Sequence, residues 1–332
     1  MRALRLHGKG DLRLHEEERP EPQAGETLVR VGAVGLCGSD LHWFGEGSLG
    51  GAGFTRPLVL GHEFAGVTED GRRVAVDPSV PCQACPLCLE GHPNLCERIR
   101  FAGHGDDDGG LREWVAWPER SLVPLTPGLT EVDGALLEPL GVALHATDLA
   151  HLRPGARVGV FGCGPIGLLI LQVARLSGAA RLVATDLGER PHRLEAARSL
   201  GALVFAAEEG REAGAIRDAI GGRGLDVALE AAGENAAVDA AVEAVCPGAR
   251  VVLVGIPAEE RTSFVAATAR RKGLTLVLAR RMKHTYPRAI RLVESGQVDL
   301  GSAVTHRFPL ERGADAFAAA HRREGLKVLV QP

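Results

Sequence analysis

From about residue 150 onward, short apolar runs alternate with longer stretches in which apolar residues recur every three or four positions. The runs Arg157–Phe161, Arg181–Thr185, Leu203–Phe205, Asp226–Glu230, Arg250–Val254 and Leu274–Ala279 read as buried strands. Ile166–Leu176 and Arg193–Leu200 read as helices between them, and helical stretches separate most of the six. Six strands joined by crossovers predict an α/β chain with a doubly wound parallel six-stranded sheet. Beyond it, Pro287 opens a predicted helix that runs through Val293. The earlier part of the chain has another rhythm. Short runs such as Thr27–Val31 and Arg73–Val76 are bounded by Gly, Pro and Asp, and Asp70-Gly71 offers a tight hairpin turn. That part is predicted to be β-rich. No internal repeat or low-complexity tract interrupts either half.

Composition narrows the classes. A chain of 332 residues can bury the cores of two domains. A net charge of −4 and a pI near 6.3 leave no electrostatic footprint for nucleic acid. The segment Met1-Arg2-Ala3-Leu4-Arg5-Leu6-His7 has no apolar core of signal-peptide length. The longest apolar stretch, Ile166 to Leu171, stops at Gln172 and is too short to span a bilayer. Seven cysteines without a secretion signal suit a reducing compartment, so a cytoplasmic protein is expected.

Those cysteines carry the first chemistry. Cys82, Cys85, Cys88 and Cys96 have the short spacings that wrap four thiolates round one tetrahedral metal ion. Pro81, Pro86, Gly91 and Pro93 supply the turns. Glu90 and Glu97 beside the lobe argue against a nucleic-acid zinc finger. Upstream, Gly35-Leu36-Cys37-Gly38-Ser39-Asp40-Leu41-His42 is followed by Gly61-His62-Glu63. A cysteine, a histidine and an acid separated by a long loop suit a catalytic zinc with one position open to water or substrate.

The first strand of the parallel sheet runs into Gly162-Cys163-Gly164-Pro165-Ile166-Gly167. Between a buried strand and an apolar helix, this pattern predicts a dinucleotide site. Gly162 makes the turn, Gly164 lets pyrophosphate approach, and Gly167 lets helix and strand pack. Pro165 and Ile166 open the helix whose N-terminus faces the phosphates. Asp186 ends the second strand, where a carboxylate binds the ribose hydroxyls of NAD and repels the extra phosphate of NADP. Arg190 and Arg193 follow closely, and an arginine displaced toward the ribose would tolerate NADP.

Taken in order, Gly-Leu-Cys-Gly-Ser-Asp, Gly-His-Glu, the four-cysteine lobe and the glycine motif make the chain resemble the zinc-containing medium-chain dehydrogenases. Ala135-Leu136-Leu137-Glu138-Pro139-Leu140 and Val304-Thr305-His306-Arg307-Phe308-Pro309-Leu310 are similar to the sorbitol (polyol) dehydrogenase branch. The resemblance implies a GroES-like catalytic domain over 1–148 and 284–332, and a Rossmann domain over 149–283. It implies two zinc ions per subunit, NAD as cofactor, and a secondary alcohol of a polyol oxidised to a ketose. Cys37, His62 and Glu63 are the implied ligands of the catalytic zinc. Glu138, where alcohol dehydrogenases carry a cysteine, is implied to reach that metal directly or through water. Ser39 matches the family's proton-relay hydroxyl, and His42 extends the relay. Trp43 and Arg281 match substrate positions, although Met282 stands where relatives in the branch carry tyrosine. Relative to the family, Gly66–Arg73 is short and Gly188–Pro191 long. A dimer or tetramer is implied, with a small alcohol as partner and no membrane or nucleic acid. Threonine, glucose or simple-alcohol dehydrogenase on the same scaffold remains an alternative, as does a catalytically silent zinc- or dinucleotide-binding protein.

Overall fold

Contacts divide the chain into two units, residues 1–138 with 286–332, and residues 139–285. The computed structural model describes residues 1–332 apart from 50–51, 54, 209–210 and 258–260. The expected boundary at 148/149 lies further along the same helix, Glu131–Ala150, which supplies residues to both units.

In the first unit the strand Glu26–Gly35 is the hub. It pairs antiparallel with Glu63–Thr68, with Trp114–Pro118 and, through Val34 and Gly35, with the C-terminal strand Lys327–Gln331. Val29, Val31, Val34, Phe64, Val115, Trp117, Val328 and Val330 of these strands join one core; burial alternates along Trp114–Pro118, whereas Glu63–Thr68 and Lys327–Gln331 are buried almost throughout. The short hairpin between Glu63–Thr68 and Arg73–Val76 pairs regularly from Phe64↔Val76 to Val67↔Arg73. Asp70-Gly71 makes its turn, and Thr68 N–H donates to Arg72 O at 2.9 Å. The short segment therefore leaves the sheet intact.

Register is what gathers the chemistry. Gly35 stands opposite Glu63 on one side and Leu329 on the other. Cys37 follows Gly35 by two residues, and Lys327 precedes Leu329 by two. The antiparallel pairing thus carries a cysteine, a glutamate and a lysine from distant parts of the chain to one end of the sheet. The helix Gly38–Glu46 begins directly after Cys37, and Asp40 accepts the Cys37 N–H at 2.9 Å. Of its buried residues, Ser39, Asp40 and Trp43, two are polar, so the helix carries no apolar periodicity in the sequence.

The second unit holds six parallel strands in the order Leu203–Ala207, Arg181–Leu187, Arg157–Phe161, Leu225–Glu230, Val245–Leu253, Thr275–Leu278. That is the doubly wound order, with its switch point between Arg157–Phe161 and Leu225–Glu230. The fifth strand starts five residues before the predicted Arg250, because Pro247-Gly248 breaks the apolar pattern without ending the strand. The helix predicted from Arg193 starts at Pro191, whose fixed φ suits a first helical position. The last predicted helix spans Tyr286–Glu294.

Candidate active site and metal centres

Cys37, His62 and Glu63 bring one ligand atom each within 4.8 Å of one another. His62 and Glu63 are almost fully buried, at 4% and 1% exposure. Asp40, wholly buried, reaches 3.5 Å from His62 Nδ1 and accepts the N–H of Gly61 at 3.2 Å. At that distance the carboxylate acts on the imidazole through its charge, since His62 Nδ1 makes no hydrogen bond. Burial alone would keep His62 neutral, but Asp40 and Cys37 hold its pKa well above the usual imidazole value. The field at the cluster therefore favours a cation. A half-buried thiol with a buried imidazole and carboxylate in such a field fits zinc, and three protein ligands leave the fourth position open.

Two buried groups complete the surroundings. Lys327 Nζ is paired with Glu63 Oε2 and donates to Leu36 O at 2.9 Å. Glu138 is 5% exposed on the helix Glu131–Ala150, one residue before Pro139. Burial, with the charge of Glu63 adding to it, pushes the Glu138 carboxyl up to about 7. Glu138 is not one of the three residues whose ligand atoms converge. Lys327 was not foreseen from sequence; only the register of the last strand places it here. His104 was not foreseen either. Its ring lies 5.6 Å from that of His62 and its Nδ1 accepts the Trp43 N–H at 3.3 Å. Trp43 is 2% exposed within the first unit's core, so its ring backs the site as packing.

Ser39 is buried, and His42 Nδ1 lies 2.8 Å from Glu46 Oε1 one helical turn on. Arg281, with a φ of 54°, and Met282 belong to the second unit. The structure thus brings Cys37, His62, Glu63, Asp40 and Lys327 together, with Ser39 and His42 on the adjoining helix.

The four-cysteine lobe is a separate centre. The sulfurs of Cys82, Cys85, Cys88 and Cys96 lie within 4.8 Å of one another, and Cys82 and Cys88 are 4.0 Å apart. A tetrahedral ion with metal–sulfur bonds of about 2.3 Å spaces its sulfurs by roughly 3.8 Å. Backbone N–H groups of Ala84 and Cys85 point at Cys82 Sγ, at 3.5 and 3.3 Å, and lower its pKa to about 6. All four cysteines are free of disulfides. The set fits a closed structural zinc.

In the second unit Gly162 has a φ of 105°, and Gly167 lies so close to Gly162 O that a Cβ would stand 1.9 Å from it. Only glycine allows the strand and the helix Pro165–Leu176 to meet this way. Gly164, the residue before that helix, faces open space apart from Arg193. Asp186, one residue before the end of its strand, is 7% exposed; its Oδ2 accepts Cys163 N–H and its Oδ1 accepts Leu187 N–H, both at 2.8 Å. Arg193 Nη1 lies 3.9 Å from Asp186 Oδ2, whereas Arg190 sits nearer Glu189.

A sheet in this order, a glycine turn and two metal-binding clusters define a zinc-binding dehydrogenase. The chain belongs to that family, and is a zinc-dependent alcohol or polyol dehydrogenase: residues 165–295 match the zinc-binding dehydrogenase family and residues 23–127 the alcohol dehydrogenase GroES-like domain. It is 33% identical to the sorbitol dehydrogenase of Bacillus subtilis, over 100% of this chain and 97% of that protein. With the sorbitol dehydrogenase of Gallus gallus it shares 36% identity, over 99% and 96%. Among solved structures it resembles a zinc-binding dehydrogenase of Sinorhizobium meliloti bound to NADP, with a TM-score of 0.91, 30% identity and coverage of 100% and 99%. An alcohol dehydrogenase of Escherichia coli complexed with NADH gives a TM-score of 0.90 at 28% identity, over 100% and 99%. Among the described residues, no helix is long and apolar enough to cross a membrane.

Proposed function

We propose that the protein oxidises a secondary alcohol of a polyol to a ketose and passes the hydride to NAD. The observation that carries this reading is the donor set: a glutamate, Glu63, converges with Cys37 and His62, and a second buried glutamate, Glu138, adjoins them. Two carboxylates suit a substrate that offers a second hydroxyl beside the reacting carbon, and the relatives that support it are sorbitol dehydrogenases.

In this reading Cys37, His62 and Glu63 hold the catalytic zinc, Glu138 meets a water or substrate hydroxyl at it, and Cys82, Cys85, Cys88 and Cys96 hold the second zinc. Zinc, when bound, supplies Lewis acidity that lowers the cost of removing the alcohol proton. The chain does the rest. Asp40 acts on His62 through its charge, and Lys327 pairs with Glu63. Ser39 takes the alcohol proton and passes one to His42; a nicotinamide cofactor, when bound, would supply the hydride acceptor. Gly162, Gly164, Pro165, Ile166 and Gly167 form the pyrophosphate turn. Asp186 binds the adenosine ribose hydroxyls and selects NAD. Arg281 donates to hydroxyls of the polyol.

Catalytic efficiency with NAD and NADP against polyols, threonine, glucose and simple alcohols tests the assignment. A vicinal polyol with NAD should lead. If threonine or glucose leads, the substrate assignment fails. Equal use of NADP makes Arg193, beside Asp186, the controlling residue.

A further inference from the structure

The helix Gly38–Glu46 carries Ser39, His42 and Glu46 at steps of three and four residues, which places them along one face. Exposure rises along that face: Ser39 is buried, the His42 side chain is 21% exposed, and the Glu46 side chain is 44% exposed. Glu46 is the last helical residue, followed by Gly47 in the left-handed conformation. An acid at a helix C-terminus faces the negative end of the dipole, an unfavourable place unless a donor compensates it. Here the donor is His42, with Nδ1 at 2.8 Å from Glu46 Oε1. An ionised carboxylate only accepts, so Nδ1 must carry the hydrogen and Nε2 is left as a bare acceptor.

We propose that Glu46 is the positioning residue of the proton exit: it fixes His42 as the Nδ1–H tautomer, so that Nε2 receives the proton released by alcohol oxidation. The inference rests on the relay through Ser39 and His42 set out above. The balance is simple. The alcohol O–H bond breaks and its proton goes to Ser39 Oγ, whose own hydrogen passes to His42 Nε2. The imidazolium, held at Nδ1 by Glu46, then releases a proton to water while the hydride leaves separately to NAD. In the reverse direction the same atoms deliver a proton to the carbonyl oxygen. Free imidazole in water favours hydrogen on Nε2, which leaves that nitrogen no lone pair to accept a proton, so a fixed partner at Nδ1 has a kinetic use.

The test uses the zinc-loaded enzyme labelled with 15N-histidine, with the His42 signals assigned from His42→Gln. Wild type should show hydrogen on Nδ1 of His42, and Glu46→Ala should move it toward Nε2. Glu46→Ala should also lower kcat for alcohol oxidation about tenfold, with KM for alcohol and NAD unchanged within about twofold. Glu46→Gln, whose amide oxygen still accepts the Nδ1 hydrogen, should recover most of that loss. His42→Gln should lower kcat about a hundredfold. If His42→Gln leaves kcat intact, the relay reading fails and Glu46 with it. If His42→Gln is slow but Glu46→Ala keeps either the wild-type tautomer or the wild-type kcat, the Glu46 proposal alone is overturned.

Discussion

Glu63 is buried against the ammonium of Lys327, whereas Glu138 is pushed up to about 7 by burial and by the charge of Glu63. Glu63 thus has a cation beside it, and Glu138 can change charge near neutrality. Glu138→Gln should therefore cut kcat/KM on a polyol about tenfold more than on an isosteric mono-alcohol, because only the polyol has a second hydroxyl for this acid to meet. Steady-state kinetics of both substrates in wild type and variant measure it; equal losses would assign Glu138 to the metal alone. Asp186 accepts the Cys163 N–H of the glycine turn, and in the proposed reading it also binds the ribose. Asp186→Ala should raise KM for NAD about tenfold and relax discrimination against NADP, since a repelling carboxylate is lost beside Arg193. Initial rates with both cofactors decide between this and control by Arg193.

At the scale of elements, the last strand closes the catalytic end of the first unit. Lys327→Met removes the cation paired with buried Glu63, so Lys327–Gln331 should dock less firmly and the protein lose about 3 kcal/mol of stability. Denaturant unfolding measures the loss, and an unchanged midpoint would contradict it. A second cluster ties the first hairpin to the loop at 108. Arg5 on the strand Arg2–Gly8 pairs with Glu17 and with Asp108 at 3.0 Å. The hydrogen bond from Arg5 lowers the Glu17 carboxyl; for Asp108 burial acts upward, and the bonds from Arg5 and the Val59 N–H with the charges of Arg112 and Arg5 together bring it down. Both folded-state pKa values lie below the unfolded ones, so the stabilisation is complete above the ordinary carboxylate range and lost as pH falls through the depressed values. Arg5→Met should cost about 2 kcal/mol at pH 7, and the difference should shrink below about pH 4. These elements also show what a sequence pattern can carry. The parallel strands and the glycine turn were legible because each is a local apolar run or a local spacing. The four-cysteine lobe was legible for the same reason. The helices Gly38–Glu46 and Glu131–Ala150 were not, since functional polar residues and Pro139 disturb their periodicity. Lys327 and His104 became part of the site only through pairing register and loop packing, which no local pattern encodes.

Across the whole molecule, the two metal clusters differ in the way their proposed jobs require. The four sulfurs of the lobe surround one point and leave no position for a substrate, with N–H groups and Arg98 directed at Cys82 Sγ. The Cys37 cluster offers three ligands of three kinds, a half-buried thiol with a buried imidazole and carboxylate, and three protein ligands are the number that would leave a tetrahedral zinc one position for an alcohol. The most direct measurement is the zinc content of wild type and of Cys37→Ala, read beside turnover on a polyol. Wild type should hold two zinc ions per chain; Cys37→Ala should keep one tightly bound ion and lose turnover. Two ions retained by Cys37→Ala, or turnover retained with one, would contradict the account.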